Sequence, residues 1–211
     1  MDRLQVTELN LMFGGLAPKF LPKMKNWCAV DSGLDYLLHN GITPLAVYGD
    51  FDSLTSISIF DSKNIIFRKK HSQNLTDGEF ALEEIIKDFP NIQKVTIYGA
   101  TGKRLDHFYG NMLLLNNPKY KQLNLTIIDD NNYMYVVQKG KHVIKNKISY
   151  KYISFVPIYE NTIINIKNAK YNAEILTLSL IRPSATSNEF VESKDIELIT
   201  NKECLVIYAK D

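Results

Sequence analysis

The sequence predicts an α/β layer built on a mostly parallel sheet, followed by a smaller antiparallel β-sandwich or barrel. Between Glu8 and about Asp130, short apolar runs alternate with helical patterns, which is the signature of strands joined by helical crossovers. After Asn131-Asn132 only β-rich segments of alternating character remain. The 211 residues are 45% hydrophobic and 23% charged, ordinary proportions for a chain that buries a core. The change of texture places a boundary near residue 132 and predicts two domains, 1–132 and 133–211.

The buried strands of the first domain are expected at 9–13, 27–30, 45–48, 65–68, 95–98 and 125–128, where short, mainly apolar runs fall. Helices are expected at 33–40, 76–89 and 104–116. The one beginning at Thr76 has the clearest signals. Thr76-Asp77-Gly78-Glu79 has capping-box spacing, Ala81, Ile85 and Phe89 recur every four residues, and Pro90 stops the pattern. In the second domain, strands are expected at 133–137, 142–144, 152–156, 163–166, 175–180 and 205–208. Lysines at 139, 141, 145, 147 and 151 read as an exposed strand face.

A formal net charge of +2 gives no reason to expect nucleic acid or an anionic membrane as partner. No apolar run approaches the roughly 18 residues of a spanning helix, and Cys28 and Cys204 are too few for a disulfide framework. The chain reads as a soluble cytoplasmic protein, and small-molecule ligands stay open.

Two loops carry candidate chemistry. Gly49-Asp50-Phe51-Asp52-Ser53 follows a strand, and ligands of open α/β sheets bind beyond the carboxyl ends of strands. With extended backbone, Asp50 and Asp52 point the same way and Phe51 enters the core, a pair suited to Mg²⁺. An acidic turn has the same composition. Gly99-Ala100-Thr101-Gly102-Lys103-Arg104 joins a strand to a helix, so its glycines allow phosphate to approach and the helix start offers amides. It lacks the full Walker spacing, and an ordinary β–α turn remains open.

Beyond that loop, Arg104, His107 and Asn111 share one side of the helix, with Asp106 on another. Polar groups so near an apolar run are expensive to bury without partners, which favours a site; Asp106 could equally pair with Arg104. Asp31-Ser32-Gly33 suits a ligand contact or a plain N-cap. Ser187-Asn188-Glu189 alone reads as a surface turn.

In order along the chain, these segments resemble the thiamine pyrophosphokinase family in its bacterial form, and the match covers most of the sequence. Val30-Asp31-Ser32-Gly33 is similar to the V-D-x-G turn, Gly41-Ile42-Thr43-Pro44 to G-I-x-P, and Gly49 to Ser53 to the diagnostic G-D-F-D-S. Thr76-Asp77 with Ala81-Leu82 matches the end of K-D-x-T-D…A-L, and Gly99 to His107 with Asn111 matches G-x-x-G-x-R-x-D-H…N. Ser154 to Pro157 resembles S-x-x-P, and Lys170-Tyr171 with Ser187-Asn188-Glu189 resembles K-Y…S-N-E.

The resemblance implies a Rossmann-like nucleotide-binding layer and then a β-sandwich. The implied assembly is a homodimer that holds thiamine between subunits. It also implies transfer of diphosphate from ATP to thiamine. Asp50, Asp52 and Asp77 would serve Mg²⁺ and the polyphosphate, with Asp106 counted among the catalytic residues. Asp31, Thr76, Gly102, Arg104, His107 and Asn111 would shape the nucleotide site, and Ser187 and Asn188 would meet thiamine. Two positions depart from the pattern. Gln73-Asn74 stands where Lys-Asp is usual, for which Lys69, Lys70 or His71 are candidate compensators, and Lys103 stands where glycine is common. A nucleotide hydrolase, a transferase with another acceptor, and a binding protein without turnover are the rival functions.

Overall fold

Short, mainly apolar runs in the first half of the chain become the strands of a parallel sheet, most of them buried. The computed structural model describes residues 2–23, 26–51, 65–182, 184–192 and 194–211. The chain divides into Met1–Asp130 and Asn131–Asp211. In the first unit the strands are β1 (Glu8–Met12), β2 (Trp27–Val30), β3 (Ala46–Gly49), β4 (Ile66–Lys69), β5 (Lys94–Tyr98) and β6 (Asn124–Ile128). They lie in the order β6-β5-β1-β2-β3-β4, and every neighbouring pair is parallel. All of β2 and β3 is buried, whereas the edge strand β4 is partly exposed.

This order has a consequence for function. The chain lays β2, β3 and β4 on one side of β1, then returns to lay β5 and β6 on the other. A crevice forms beyond the carboxyl ends of strands where the winding reverses. Here that place is the end of β1, between the ends of β2 and β5.

Among the described residues the unit also has three α-helices: α1 (Gly33–His39), α2 (Asp77–Asp88) and α3 (Leu105–Leu114). Helix α2 begins as its sequence predicts. The Thr76 hydroxyl accepts from the Glu79 amide at 3.2 Å, and the Glu79 carboxylate accepts from the Thr76 amide at 2.9 Å. Ala81, Leu82 and Ile85 bury the inner face. Thr76→Ala removes half of this box and is expected to lower stability by about 1 kcal/mol, read from the midpoint of urea unfolding.

The second unit contains two antiparallel sheets. One comprises β7 (Asn132–Val137), β9 (Tyr152–Pro157), β12 (Asn188–Glu189) and β14 (Cys204–Ala209). The other comprises β8 (Gly140–Ile144), β10 (Thr162–Lys167), β11 (Ala173–Leu178) and β13 (Ile196–Thr200). Burial alternates along β9, β10 and β14, as expected of strands with one face on a core. Ile153, Phe155 and Val206 of the first sheet join Ile164, Ile166 and Leu198 of the second in one apolar cluster.

Two expectations need correction here. The strand expected at 175–180 ends at Leu178, and the Leu180 amide instead donates to Glu160. The five lysines do not share a strand face: Lys141 lies in β8 and meets Glu197, Lys145 pairs with Asp195, and Lys147 sits over the Tyr133 ring. Cys28 and Cys204 are both buried free thiols. Among the described residues no helix is long and apolar enough to cross a membrane.

Candidate active site

Loops at the carboxyl ends of β1, β2, β4 and β5 line a cavity of about 650 Å³ at the reversal point of the sheet. One wall is made of glycine-rich backbone. The Gly15 amide donates to Gly99 O and the Leu16 amide to Thr101 O, each at 2.8 Å, so the loops after β1 and β5 are joined. Gly99 has φ +66, and a Cβ there would lie 2.4 Å from Phe13 O. No side chain fits that approach. Asn111 reaches back from α3 to donate to Ala100 O at 3.0 Å, and Thr101 donates to Asp129 at 2.9 Å.

The same loop carries positive charge. Arg104 precedes α3 and donates to Asp106 through Nε at 3.1 Å and through Nη2 at 2.6 Å. The Arg104 hydrogen bonds hold the Asp106 carboxyl below the usual carboxylate range. Lys103 donates to Gly14 O at 2.7 Å and is not among the residues with positive φ, so the usual glycine is not required at this position. Arg104, Asp106, His107 and Asn111 all line the cavity, and the pairing of Asp106 with Arg104 that the sequence left open is formed. His107 and Arg104 are exposed, so the expected burial penalty does not arise for them.

The opposite chemistry comes from β2, β3 and α2. Asp31 follows β2 with φ +46 and lines the cavity. Its Oδ1 is enclosed and has no hydrogen-bond partner among the described residues. Burial, then the negative charges of Asp77 and Asp50, push its carboxyl up to about 6, against the opposing Phe51 amide and Lys70. Asp77 opens α2 and forms an ion pair with Lys70, whose side chain is almost wholly buried. Thr76 lines the cavity, but its hydroxyl is engaged by Glu79.

Asp50 acts on Asp31 electrostatically but does not line the cavity, and neither does Gly102, which packs on Leu16. Asp52 lies outside the described residues. Phe51 has φ +65, so the chain turns after Asp50 instead of extending, while its ring packs edge-on against Phe67 at 5.9 Å. Among the described residues, no three His, Cys, Asp or Glu side chains are grouped to hold a metal.

Sequence reasoning missed Phe13, Gly14 and Gly15 as lining residues. The available signal was a buried strand ending in Gly-Gly. Lys70 was only one of three candidates, and nothing in the sequence distinguishes it from Lys69.

Ser187 and Asn188 belong to the second unit. Ser187 is exposed with φ +56, and its amide donates to the Ser154 hydroxyl at 3.0 Å. Asn188 is 4% exposed and grips Tyr171. Its Oδ1 accepts from the Tyr171 amide at 3.0 Å, and its Nδ2 donates to the Tyr171 carbonyl at 2.8 Å. The K-Y and S-N-E segments therefore form one local structure, with Lys170 also paired to Glu189.

Two family models match the chain: "Thiamin pyrophosphokinase, catalytic domain" over residues 17–127, and "Thiamin pyrophosphokinase, vitamin B1 binding domain" over residues 141–205. The thiamine pyrophosphokinase of Bacillus subtilis (strain 168) is 31% identical over 175 residues, 80% of this chain and 79% of that protein. The crystal structure of thiamine pyrophosphokinase from Bacillus subtilis superposes with a TM-score of 0.84 at 26% identity, covering 97% of this chain and 100% of that one. Thiamin pyrophosphokinase from Geobacillus thermodenitrificans gives 0.81 at 26% identity, covering 97% and 98%. The Candida albicans enzyme, 14% identical, shares the fold with a TM-score of 0.82 over 100% of this chain and 91% of its own. With both family models matched in order and a relative above 30% identity across most of its length, the chain belongs to the thiamin pyrophosphokinase family.

Proposed function

We propose that this chain transfers the diphosphate of ATP to the hydroxyethyl oxygen of thiamine, giving thiamine diphosphate and AMP, in the cavity at the end of β1. The observation that carries the reading is that one cavity of a family member combines glycine-rich backbone, the cations Lys103 and Arg104, and the carboxylates Asp31 and Asp77. A polyphosphate needs the first two, and its divalent counterion needs the third.

The donor set fits Mg²⁺. Asp31 Oδ1 lacks a hydrogen-bond partner among the described residues, and Mg²⁺ commonly takes one or two carboxylates together with phosphate oxygens. Asp31 and Asp77 would hold it, with Asp50 adding charge and Asp52 counted by resemblance. Bound there, the ion would neutralise charge on the polyphosphate.

The chain's own residues then have separate tasks. Arg104 and Lys103 attract the phosphates, and the Asp106 pair fixes the direction of the Arg104 fork. Asp106 is a positioning residue in this reading, because a carboxylate held below its usual range is a poor base. The joined glycine loops let the triphosphate lie against backbone, which aligns the β-phosphorus with the attacking oxygen.

The reading includes a Rossmann-like layer followed by a sandwich whose Ser187–Asn188 segment presents thiamine, and a cytoplasmic setting, supported by two unpaired thiols. It also includes a homodimer. Leu105, Tyr109 and Leu113, spaced four apart on α3 and exposed, form an apolar stripe suited to a second copy.

Incubating the protein with thiamine, ATP and Mg²⁺ should yield AMP and thiamine diphosphate in equal amounts by chromatography, and an Asp50→Asn, Asp77→Asn control should yield neither. AMP or ADP without thiamine diphosphate would replace this reading with a hydrolase or another acceptor. Thiamine binding without any turnover would make it a binding protein.

A further inference from the structure

We infer that Lys70 is a transferable cation of the phosphate site: it holds Asp77 while the cavity is empty and turns to the polyphosphate when a metal–nucleotide complex takes that carboxylate. This rests on the proposed reading of the cavity as a phosphate and metal site.

Lys70 is 7% exposed, although lysine is almost never so buried unless paired. Its place is fixed by backbone: its amide donates to Gly49 O at 2.8 Å, directly beyond the end of β4. Its Nζ donates to Leu75 O at 3.3 Å and pairs with Asp77, and the residue lines the cavity. A buried ion pair is weak evidence of a stabilising role, since a well-packed apolar residue often serves stability as well or better. What an apolar residue cannot do is occupy a carboxylate that a metal also wants.

The rest of the cavity gives the exchange a purpose. Asp31, Asp50 and Asp77 interact electrostatically, so an empty site without Lys70 would concentrate negative charge beside the glycine loop that must receive an anion. Position 74, also on the cavity wall, carries the neutral amide of Asn74. Lys70 is then an ammonium next to these carboxylates, and with three donors it can turn one toward phosphate while keeping Leu75 O. A nearby opposite charge changes a carboxylate's affinity for a proton by roughly ten- to thousandfold. A divalent ion competing for the same oxygen meets the same opposition.

The test is Mn²⁺ binding to the nucleotide-free protein, followed by electron paramagnetic resonance, together with binding of a non-hydrolysable ATP analogue. Lys70→Met should bind Mn²⁺ about tenfold or more tightly than wild type and bind the analogue about tenfold or more weakly. Lys70→Arg keeps the charge and should stay near wild type in the first measurement. A purely structural lysine would change neither quantity in this pattern, so unchanged or weaker Mn²⁺ binding by folded Lys70→Met overturns the inference. Should that variant not fold, Lys70→Gln is measured against the same criterion, and Asp77→Asn in wild type must abolish the Lys70-sensitive part of Mn²⁺ binding. The readouts need no turnover: a protein that makes no thiamine diphosphate yet shows the opposed shifts would refute the reaction and keep the role of Lys70.

Discussion

Asp31→Asn is expected to melt higher than wild type at pH 7.5 in chelator, while forming thiamine diphosphate at least about 10²-fold more slowly. Both effects come from the same crowding. Burial and the charges of Asp77 and Asp50 push the Asp31 carboxyl up to about 6 from 3.8, so the folded state holds the proton more tightly than the unfolded chain does. The linkage sign follows. The stability contributed by the protonated carboxyl is fully present below about pH 4 and is lost as pH rises through about 6, leaving the ionised native site under a penalty at neutral pH. Asparagine removes the charge and retains an oxygen for the Phe51 amide, so it is expected to recover roughly 1–3 kcal/mol, or several degrees in melting temperature. The gain should shrink toward zero as the comparison is repeated from pH 7.5 down to pH 4. Added Mg²⁺ should raise the wild-type melting temperature and leave the variant much less changed, since a ligand stabilises only what binds it. A variant that melts lower than wild type at pH 7.5 in chelator would show that Asp31 is a structural anchor and not a strained ligand.

The contrast between α2 and the cavity shows why some of this was legible in the sequence. Thr76, Glu79 and the four-residue repeat of Ala81 and Ile85 act within one segment, so their consequence is local and readable. The uninterrupted apolar runs of β2 and β3 likewise announced strands covered on both faces. The resemblance gathered the loops in order, but it did not supply the contacts between them. The joining of Gly15 to Gly99 spans distant sequence, and it depends on β1 lying beside β5, which no local pattern encodes. Helical spacing sets Asp106 apart from His107 and Asn111, but it does not show that Arg104, just before α3, bends back to Asp106. Strand β13 was missed because its five residues sit among charged ones, and its buried Ile196 and Leu198 gain meaning only against β8 and β10. Lys70 could not be told from Lys69, since a one-residue difference in where β4 ends decides which lysine is buried.

The second large effect is expected from Gly49→Ala, a change of one methyl group at a residue that touches no substrate. Gly49 has φ +143, and a Cβ there would stand 1.8 Å from Asp31 Oδ1. Something must move. If the carboxylate leaves, the cavity loses a wall; if the end of β3 shifts, the Gly49 carbonyl moves and Lys70, whose amide it accepts, moves with it. Either response displaces charge from where phosphate and metal would be met, so activity should fall by at least about 10²-fold. Stability should fall by about 1–3 kcal/mol, the range for a residue forced into backbone geometry that suits only glycine. A double variant separates collision from backbone strain. Asp31→Gly removes the carboxylate and relaxes a residue whose φ of +46 already favours glycine. In the Asp31→Gly, Gly49→Ala protein the stability loss should be smaller than the sum of the two single changes, by an interaction energy of roughly 1 kcal/mol or more in urea unfolding. Activity should stay lost, because the group that Gly49 makes room for is gone. Near-normal turnover by Gly49→Ala alone would mean that Asp31 can leave its enclosed position without harm, and the case for it as a ligand would fail with it.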